Sequence, residues 1–266
     1  MYQPFHLGIS TLGCPELNLP EAAALAERFN FELLELRTLS GNCNLAANLK
    51  FPENTVTFRK LATANRITLL GSSFGLSDPK AELQELEELS EIADAFQIPY
   101  IRIFGGMAYG HPVDHEAVEI ARSNLMRYQN LGRRCRLALE THDGYSAAAK
   151  CADLFRQLGE ELPIVWDVHH TVNFGGESFP ESYRLLHHLI IEVHLKDSRQ
   201  ENDRRRSCLP GKGDFPGVEF LSFLAKHAPG MKVIFEYEKF WEPSLPPLES
   251  ALAALRDNWL AVYTKF

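Results

Sequence analysis

The sequence predicts a single α/β domain over residues 1–266, folded as one closed (β/α)8 barrel. Short apolar runs alternate with longer amphipathic stretches from one end of the chain to the other. Eight runs of each kind can be recognised, which is the number that a closed parallel barrel requires. A chain of 266 residues is long enough for one such barrel, and no linker or low-complexity segment divides it.

The predicted strands are short, rich in apolar residues and bounded by turn residues, as buried parallel strands are. In chain order they are Phe5–Ser10, Glu32–Arg37, Ile67–Ser72, Tyr100–Phe104, Arg136–Thr141, Ile164–Val168, Ile190–Leu195 and Val233–Tyr237. A doubly wound open sheet is the alternative, but it usually carries a glycine-rich phosphate turn after its first strand. The segment Ser10–Pro15 lacks that glycine spacing, so the closed barrel is favoured.

The predicted helices follow the strands. In the clearest one, Pro79–Phe96, leucines repeat at helical spacing, and Ser77 or Asp78 is expected to cap its N-terminus. The others have approximate bounds of Glu21–Phe29, Glu53–Ala64, Asp114–Leu131, Ser146–Leu158, Glu181–His188, Pro216–His227 and Pro247–Tyr263.

Composition restricts the class of protein. The net charge of −8 argues against a surface that binds nucleic acid. Five scattered cysteines without a C-x-x-C pair indicate reduced thiols rather than disulfides. Met1–Leu7 does not have the pattern of a signal peptide, and no apolar run approaches the roughly 18 residues that a membrane span needs. We therefore expect a soluble cytoplasmic protein, and the helical surface of a barrel offers room for a homodimer.

Polar residues at the carboxyl ends of the strands indicate the active site, because that end of a barrel carries the chemistry. Such residues are dense on the last four strands, which end in Glu140, Asp167, His194 and Glu236. The first three are 27 residues apart, about the length of one βα unit, so they occupy equivalent depths. Glu236 follows 42 residues after His194 because a longer loop, Lys196–Pro216, intervenes.

Three carboxylates and one imidazole that converge would repel one another without a cation. The donor set suits one divalent ion, Mn²⁺, Mg²⁺, Co²⁺ or Zn²⁺, with positions left open for a substrate. The alternative is that these are ordinary residues at strand ends, paired with lysine or arginine. Glu238 shares a face with Glu236 and is the alternative fourth ligand.

Five segments carry a family resemblance: Leu139–Gly144, Asp167–His170, Val193–Asp197, Leu209–Asp214 and Phe235–Glu238. Together they resemble motifs of the xylose isomerase-like sugar phosphate isomerase/epimerase superfamily, and the resemblance is strongest from Cys135 onward. It implies that Glu140, Asp167, His194 and Glu236 bind the metal. It also implies that Glu140 and Glu236 move a proton through an enediolate of a keto sugar or related polyol, as acid and base catalysts.

Further residues are expected to contact the substrate. The D-x-x-H motif implies a site role for His170, whereas its neighbour His169 is as easily explained by packing. His142 shares a face with Glu140 and either orients that residue, contacts substrate or has a structural role alone. Lys196 and Arg102 are expected to bind an anionic group of the substrate, a carboxylate or a phosphate. For at least two of Arg204, Arg205 and Arg206, a solvated loop is the simpler interpretation, and the alternative is that one or more of them bind the same anionic group.

Other functions remain open. A dehydratase of the inosose or 3-dehydroshikimate type would use the same site, and a non-catalytic binding barrel is a third class. An abasic-site endonuclease of this superfamily needs additional histidines at the ends of strands three and four. Those strands end in Gly71–Phe74 and Ile103–Gly106, which contain none.

Overall fold

Runs of aliphatic residues form the strands of a closed barrel in the computed structural model, which describes residues 4–261 and 263. The strands, numbered in chain order, are β1 Phe5–Ser10, β2 Leu33–Leu36, β3 Ile67–Gly75, β4 Tyr100–Phe104, β5 Arg136–Glu140, β6 Ile164–Asp167, β7 Ile190–Leu195, β8 Ser198–Glu201, β9 Arg204–Ser207 and β10 Met231–Phe235. The barrel order is β1, β10, β7, β6, β5, β4, β3, β2. The predicted (β/α)8 barrel is confirmed, and β1, β4 and β7 have the predicted bounds.

The segment expected to be a long loop after β7 contains a hairpin. Strands β8 and β9 pair in antiparallel fashion and form a two-stranded sheet of their own. The three arginines Arg204, Arg205 and Arg206 therefore lie in a strand rather than in a solvated loop. Arg205 pairs with Asp214 at 2.7 Å, and Arg206 pairs with Glu242 at 3.6 Å.

The helices lie between the strands in sequence. They are α1 Leu19–Arg28, α2 Leu45–Leu49, α3 Pro52–Thr63, α4 Gln84–Phe96, α5 His115–Gln129, α6 Ala148–Leu158, α7 Val168–Asn173, α8 Phe179–Leu186, α9 Gly217–His227 and α10 Leu248–Leu255. A π-helical turn, Arg256–Leu260, follows α10. Capping defines the start of α1, where the Asn18 side chain accepts from the Glu21 N–H and the Glu21 carboxylate accepts from the Asn18 N–H.

Helix α4 begins at Gln84, so the predicted start at Pro79 with Ser77 or Asp78 as the cap is wrong. The polar groups of this segment are satisfied elsewhere. The Ser77 hydroxyl bonds the Tyr145 hydroxyl at 2.8 Å, and the Asp78 carboxylate accepts from the Lys80 N–H in a local turn. An aspartate that closes a turn on the following backbone competes with its use as a helix cap.

The chain forms two compact units, Met1–Leu61 with His194–Phe266 and Ala62–Val193, here called unit 1 and unit 2. Unit 1 buries side chains of β1, β2 and β10, including Ile9, Leu34 and Phe235. Unit 2 has a cluster of Leu69, Ala138 and Val165, against which Tyr100 and Ile191 pack. One domain over residues 1–266 stays a prediction.

Parts of two sequence predictions lie outside the described residues. These are residues 1–3 of the segment considered for a signal peptide, and residue 262 of the last predicted helix. Among the helices of the described part of the chain, none combines the length and the apolar character that crossing a bilayer requires.

Candidate active site

Each predicted ligand lies at the carboxyl end of a barrel strand. Glu140 and Asp167 are the last residues of β5 and β6, His194 is the penultimate residue of β7, and Glu236 directly follows β10. All four are buried, none more than 4% exposed. Burial of a charged side chain is costly unless it is paired or bound to an ion, so the contacts of each residue define its role.

In unit 2, Glu140 lies against Arg102 of β4. Nε of the guanidinium is 3.1 Å from Oε2 of the carboxylate, and both side chains are almost completely buried. The guanidinium also donates to the Ser72 carbonyl at 2.8 Å and lies over the Phe104 ring, 4.0 Å from its centroid. Arg102 thus contacts a predicted ligand and is held on several sides, which favours a positioning role over direct contact with substrate.

Asp167 ends β6 and caps α7, because its Oδ1 accepts from the His170 N–H at 2.8 Å. Its other oxygen, Oδ2, lies 3.7 Å from Nε2 of His170. Asp167, His169 and His170 are all buried, and each offers a donor atom of a type that binds metal ions. Unit 2 therefore contains a candidate metal-binding cluster at the end of β6.

Two histidine rings stack beside this cluster. The rings of His142 and His170 have centroids 4.0 Å apart, and Nδ1 of His142 is 2.8 Å from the Asp143 carboxylate. On its other side His170 shares a hydrogen bond with the Tyr109 hydroxyl, at 3.1 Å from Nδ1. The two predicted substrate-binding histidines, His142 and His170, are therefore in contact. The third residue of this group, Tyr109, is not indicated by the sequence. It lies in a loop without periodicity, which left no pattern to find it.

In unit 1, His194 lies between two carboxylates. Its Nε2 is 2.5 Å from Oε2 of Glu35, and its Nδ1 is 3.4 Å from Oε1 of Glu236. Glu35 also accepts from the Ser10 hydroxyl at 3.1 Å. Sequence reasoning did not identify Glu35, although a charge between leucines in the predicted strand Glu32–Arg37 was a usable signal.

Lys196 lies between two glutamates of unit 1. Its ammonium donates to Glu236 at 2.8 Å and to Glu238 at 2.6 Å. Burial alone would raise the pKa of Glu236, but the charge of Lys196 and then that of His194 outweigh it, and the pKa lies well below its ordinary value. Glu238 also accepts from the Ser207 hydroxyl on its second oxygen, which favours Glu236 over Glu238 as a ligand.

The carboxylate of Asp197 accounts for the glycines in the segment Leu209–Asp214. Its carboxylate accepts N–H groups from Gly211 at 2.8 Å, Gly213 at 2.9 Å and Phe215 at 3.3 Å. Burial raises the pKa of Asp197, although these backbone bonds act against that shift. A Cβ on Gly213 would lie 2.1 Å from the Asp197 Oδ1, so only glycine fits there. Asp197 thus fastens this loop to the end of β7.

Comparisons with known proteins agree on the family and the fold. The sequence model of one family, described as xylose isomerase-like TIM barrel, matches residues 23–260. None of the curated protein sequences matches the chain.

Several solved structures share the fold. A xylose isomerase domain containing protein from Salmonella typhimurium LT2 is 15% identical with a TM-score of 0.71, and the match covers 100% of this chain and 99% of that one. The probable 3-DHS dehydratase AsbF of Bacillus anthracis is 18% identical with a TM-score of 0.70, covering 95% and 99%. The IolI protein with a bound zinc atom is 16% identical with a TM-score of 0.70, covering 97% and 98%.

Proposed function

Because the chain belongs to the xylose isomerase-like TIM barrel family, we propose that it is a divalent-metal-dependent isomerase or epimerase of a keto sugar or related polyol. One observation carries the proposal. Four buried side chains of metal-ligand type, Glu140, Asp167, His194 and Glu236, lie at the carboxyl ends of strands that are consecutive in the barrel order.

The donor set fits a divalent ion. Three carboxylates and one imidazole are hard to intermediate ligands, which suit Mn²⁺, Mg²⁺, Co²⁺ or Zn²⁺. The zinc in the IolI structure, which shares the fold, supports zinc as one of these options. When bound, such an ion polarises a carbonyl and its neighbouring hydroxyl on the substrate.

Glu140 and Glu236 are proposed as the residues that move the proton. Arg102 lies against Glu140, and Lys196 against Glu236, so each carboxylate has a cation that favours its charged form. The depressed pKa of Glu236 keeps this carboxylate deprotonated at neutral pH. A deprotonated carboxylate at the site can take the proton from a carbon beside a carbonyl, and its conjugate acid can return it.

Lys196, His170 and His142 remain the proposed contacts to the substrate. Arg102 is instead proposed to orient Glu140, because its guanidinium is fixed by that carboxylate, by the Ser72 carbonyl and by the Phe104 ring. A small sugar or polyol is the proposed partner of the site.

A dehydratase is the second candidate. It would begin with the same proton removal, but it also needs an acid that protonates a leaving hydroxyl. The Lys196 ammonium, held between Glu236 and Glu238, is a donor of the required kind. The fold shared with the probable 3-DHS dehydratase AsbF is compatible with this candidate.

Incubation in D₂O separates these reactions. Protein loaded with Mn²⁺, Mg²⁺, Co²⁺ or Zn²⁺ is mixed with keto sugars, their phosphates, inososes and 3-dehydroshikimate, and the products are followed by NMR and mass spectrometry. An isomerase or epimerase incorporates deuterium beside the carbonyl, whereas a dehydratase releases a product that has lost water.

Glu140→Gln should reduce turnover by about a hundredfold or more, because it removes a ligand and base. Glu91→Gln is the matched control, since Glu91 forms an exposed ion pair with Arg133. If no metal-loaded sample exchanges deuterium or forms product with any of these compounds, the proposed function is wrong.

A further inference from the structure

Two aromatic side chains lie together at the surface of unit 2. Tyr109 is 46% exposed and Phe174 is 43% exposed, and their rings stack with centroids 4.9 Å apart. Single exposed aromatic residues are common, but a stacked pair beside a buried polar cluster is typical of a ligand-binding surface. Neither residue has a role in the proton transfer proposed above.

The pair is the outer end of a column of rings that leads inward to Asp167. The Phe174 ring lies 5.0 Å from that of His170, and the Tyr109 hydroxyl bonds His170 Nδ1. The His142 ring stacks on His170, and the Phe104 ring lies 4.9 Å from His142. A molecule that covers the outer pair would therefore be separated by His170 from Asp167, which is proposed to bind the metal.

The loop that carries Tyr109 is held in place by contacts with its neighbours. The Met107 carbonyl accepts the Gly144 N–H at 2.7 Å, and the His111 carbonyl accepts from Lys150 at 2.6 Å. A Cβ on Gly144 would lie 2.7 Å from the Met107 Cβ, so the two segments approach as closely as glycine allows. The position of Tyr109 is thus set by the packing of the loop.

The outer end of the column is formed by two uncharged rings, Tyr109 and Phe174, and not by arginine or lysine. Arg102, whose guanidinium lies over Phe104 at the inner end of the column, is already paired with Glu140. A phosphate placed here would compete with that carboxylate for the guanidinium. An aromatic face instead suits the flat C–H surface of a ring, where apolar hydrogens cover one side.

We propose that Tyr109 and Phe174 form a stacking subsite that selects an uncharged, ring-shaped polyol over an open-chain or phosphorylated one. The inference rests on the proposed function, since it assigns a substrate class to that same site. An open-chain polyol exposes hydroxyl groups along its whole length and offers no comparable apolar face. Loss of one aromatic ring should therefore weaken binding of the ring compound and leave the open-chain compound unchanged.

Binding of matched probes tests the subsite. Zinc-loaded protein is titrated with myo-inositol and with D-mannitol, a ring and an open chain with the same number of hydroxyl groups, and binding is followed by ligand-observed NMR. We expect myo-inositol to bind at least about fivefold more tightly than mannitol. Tyr109→Ala and Phe174→Ala should each weaken myo-inositol binding by about fivefold, without an effect on mannitol.

Two further variants control for structure. Tyr109→Phe keeps the ring and should keep the preference. Met126→Ala removes a side chain of α5 that is 55% exposed, and it should change nothing. Circular dichroism verifies the fold of each variant. The proposal would be overturned if the two probes bind equally, if neither binds, or if both alanine variants bind myo-inositol as wild type does. It would also be overturned if myo-inositol 1-phosphate binds more tightly than myo-inositol.

The two hypotheses fail separately. If the ring preference is absent while zinc binding and deuterium exchange are intact, the subsite is refuted and the proposed function stands. If the ring preference is present but zinc is not bound, the subsite stands and the metal-dependent function is refuted.

Discussion

The contact between Glu35 and His194 shows how a carboxylate can orient a candidate metal ligand. The Glu35 carboxylate lies 2.5 Å from Nε2 of His194, so it holds a proton on that nitrogen. The other ring nitrogen, Nδ1, lies on the side of Glu236, and with its proton removed it would supply the lone pair that a metal ion needs. A carboxylate behind a ligating histidine fixes its tautomer and its orientation.

Glu35→Gln should weaken Zn²⁺ binding by about tenfold to a hundredfold, because a neutral amide holds the His194 proton less firmly. Competition with a coloured chelator measures the affinity. Glu32→Gln is the matched control, since Glu32 pairs with His6 at 2.7 Å on the surface of the same unit. Equal affinities of the two variants would show that Glu35 has no part in metal binding.

Lys196 stabilises the charged form of Glu236. A carboxyl whose pKa is depressed in the folded state adds stability above its unfolded pKa of about 4.3, and this is lost as pH falls through the folded pKa. In metal-free protein, Lys196→Met should therefore cost about 3 kcal/mol of unfolding free energy at pH 7. The difference from wild type should shrink below about pH 4, as Glu236 becomes protonated.

Denaturant unfolding at several pH values measures this effect. Arg199→Met is the control, because Arg199 and Glu201 form an exposed pair that should contribute little. A loss of stability in Lys196→Met that is equal at acidic and neutral pH would contradict the assignment. The substrate role of Lys196 is tested separately, because Lys196→Ala should also lower substrate affinity and turnover.

The sequence identifies some residues of the candidate site and leaves others unidentified. Strand ends and motifs point to Glu140, Asp167, His194 and Glu236, whose roles remain predictions. Glu35 leaves a local signal, a charge between two leucines, but its partner His194 is 159 residues away and only the fold shows it. Tyr109 lies in an irregular loop and leaves no such signal. Contacts across such separations leave no local pattern.

Among the elements, the loop Leu209–Phe215 depends most on a single side chain, Asp197. Without this carboxylate, the N–H groups of Gly211, Gly213 and Phe215 lose their acceptor. Asp197→Ala should therefore expose the loop and speed trypsin cleavage after Lys212 by about tenfold or more.

Limited proteolysis with mass spectrometry locates that cleavage. Asp203→Ala, in the exposed turn between β8 and β9, is the control and should be cut like wild type. If Asp197→Ala is as resistant as the control, the loop is held by other contacts.

The bounds of an element are predicted correctly where one sequence pattern dominates. Apolar runs identify β1, β4 and β7 with their bounds, because burial on both faces leaves few polar residues in them. The sequence pattern does not predict the β8–β9 hairpin, since strands of Arg, Gln, Glu and Ser show no apolar alternation. The predicted start of helix α4 is too early, because Ser77 and Asp78 resemble N-caps but make other hydrogen bonds.

For the molecule as a whole, metal binding should be linked to stability. A ligand that binds only the folded state adds about 2.7 kcal/mol when its concentration is a hundredfold above Kd. Differential scanning calorimetry should therefore show a single transition that rises by about 5 °C or more with saturating Zn²⁺. Two transitions would contradict the prediction of one domain, and an unchanged Tm would contradict tight binding.

Metal content tests the central claim most directly, that four strand-end residues hold one divalent ion. Protein stripped with chelator is dialysed against Zn²⁺ or Mn²⁺ and assayed by inductively coupled plasma mass spectrometry. We predict one ion per chain in wild type and in the surface control His188→Gln, whose histidine is exposed. Asp167→Asn and His194→Gln should each retain far less than one ion. A folded wild-type protein that binds no ion, or ligand variants that bind as wild type does, would contradict the account.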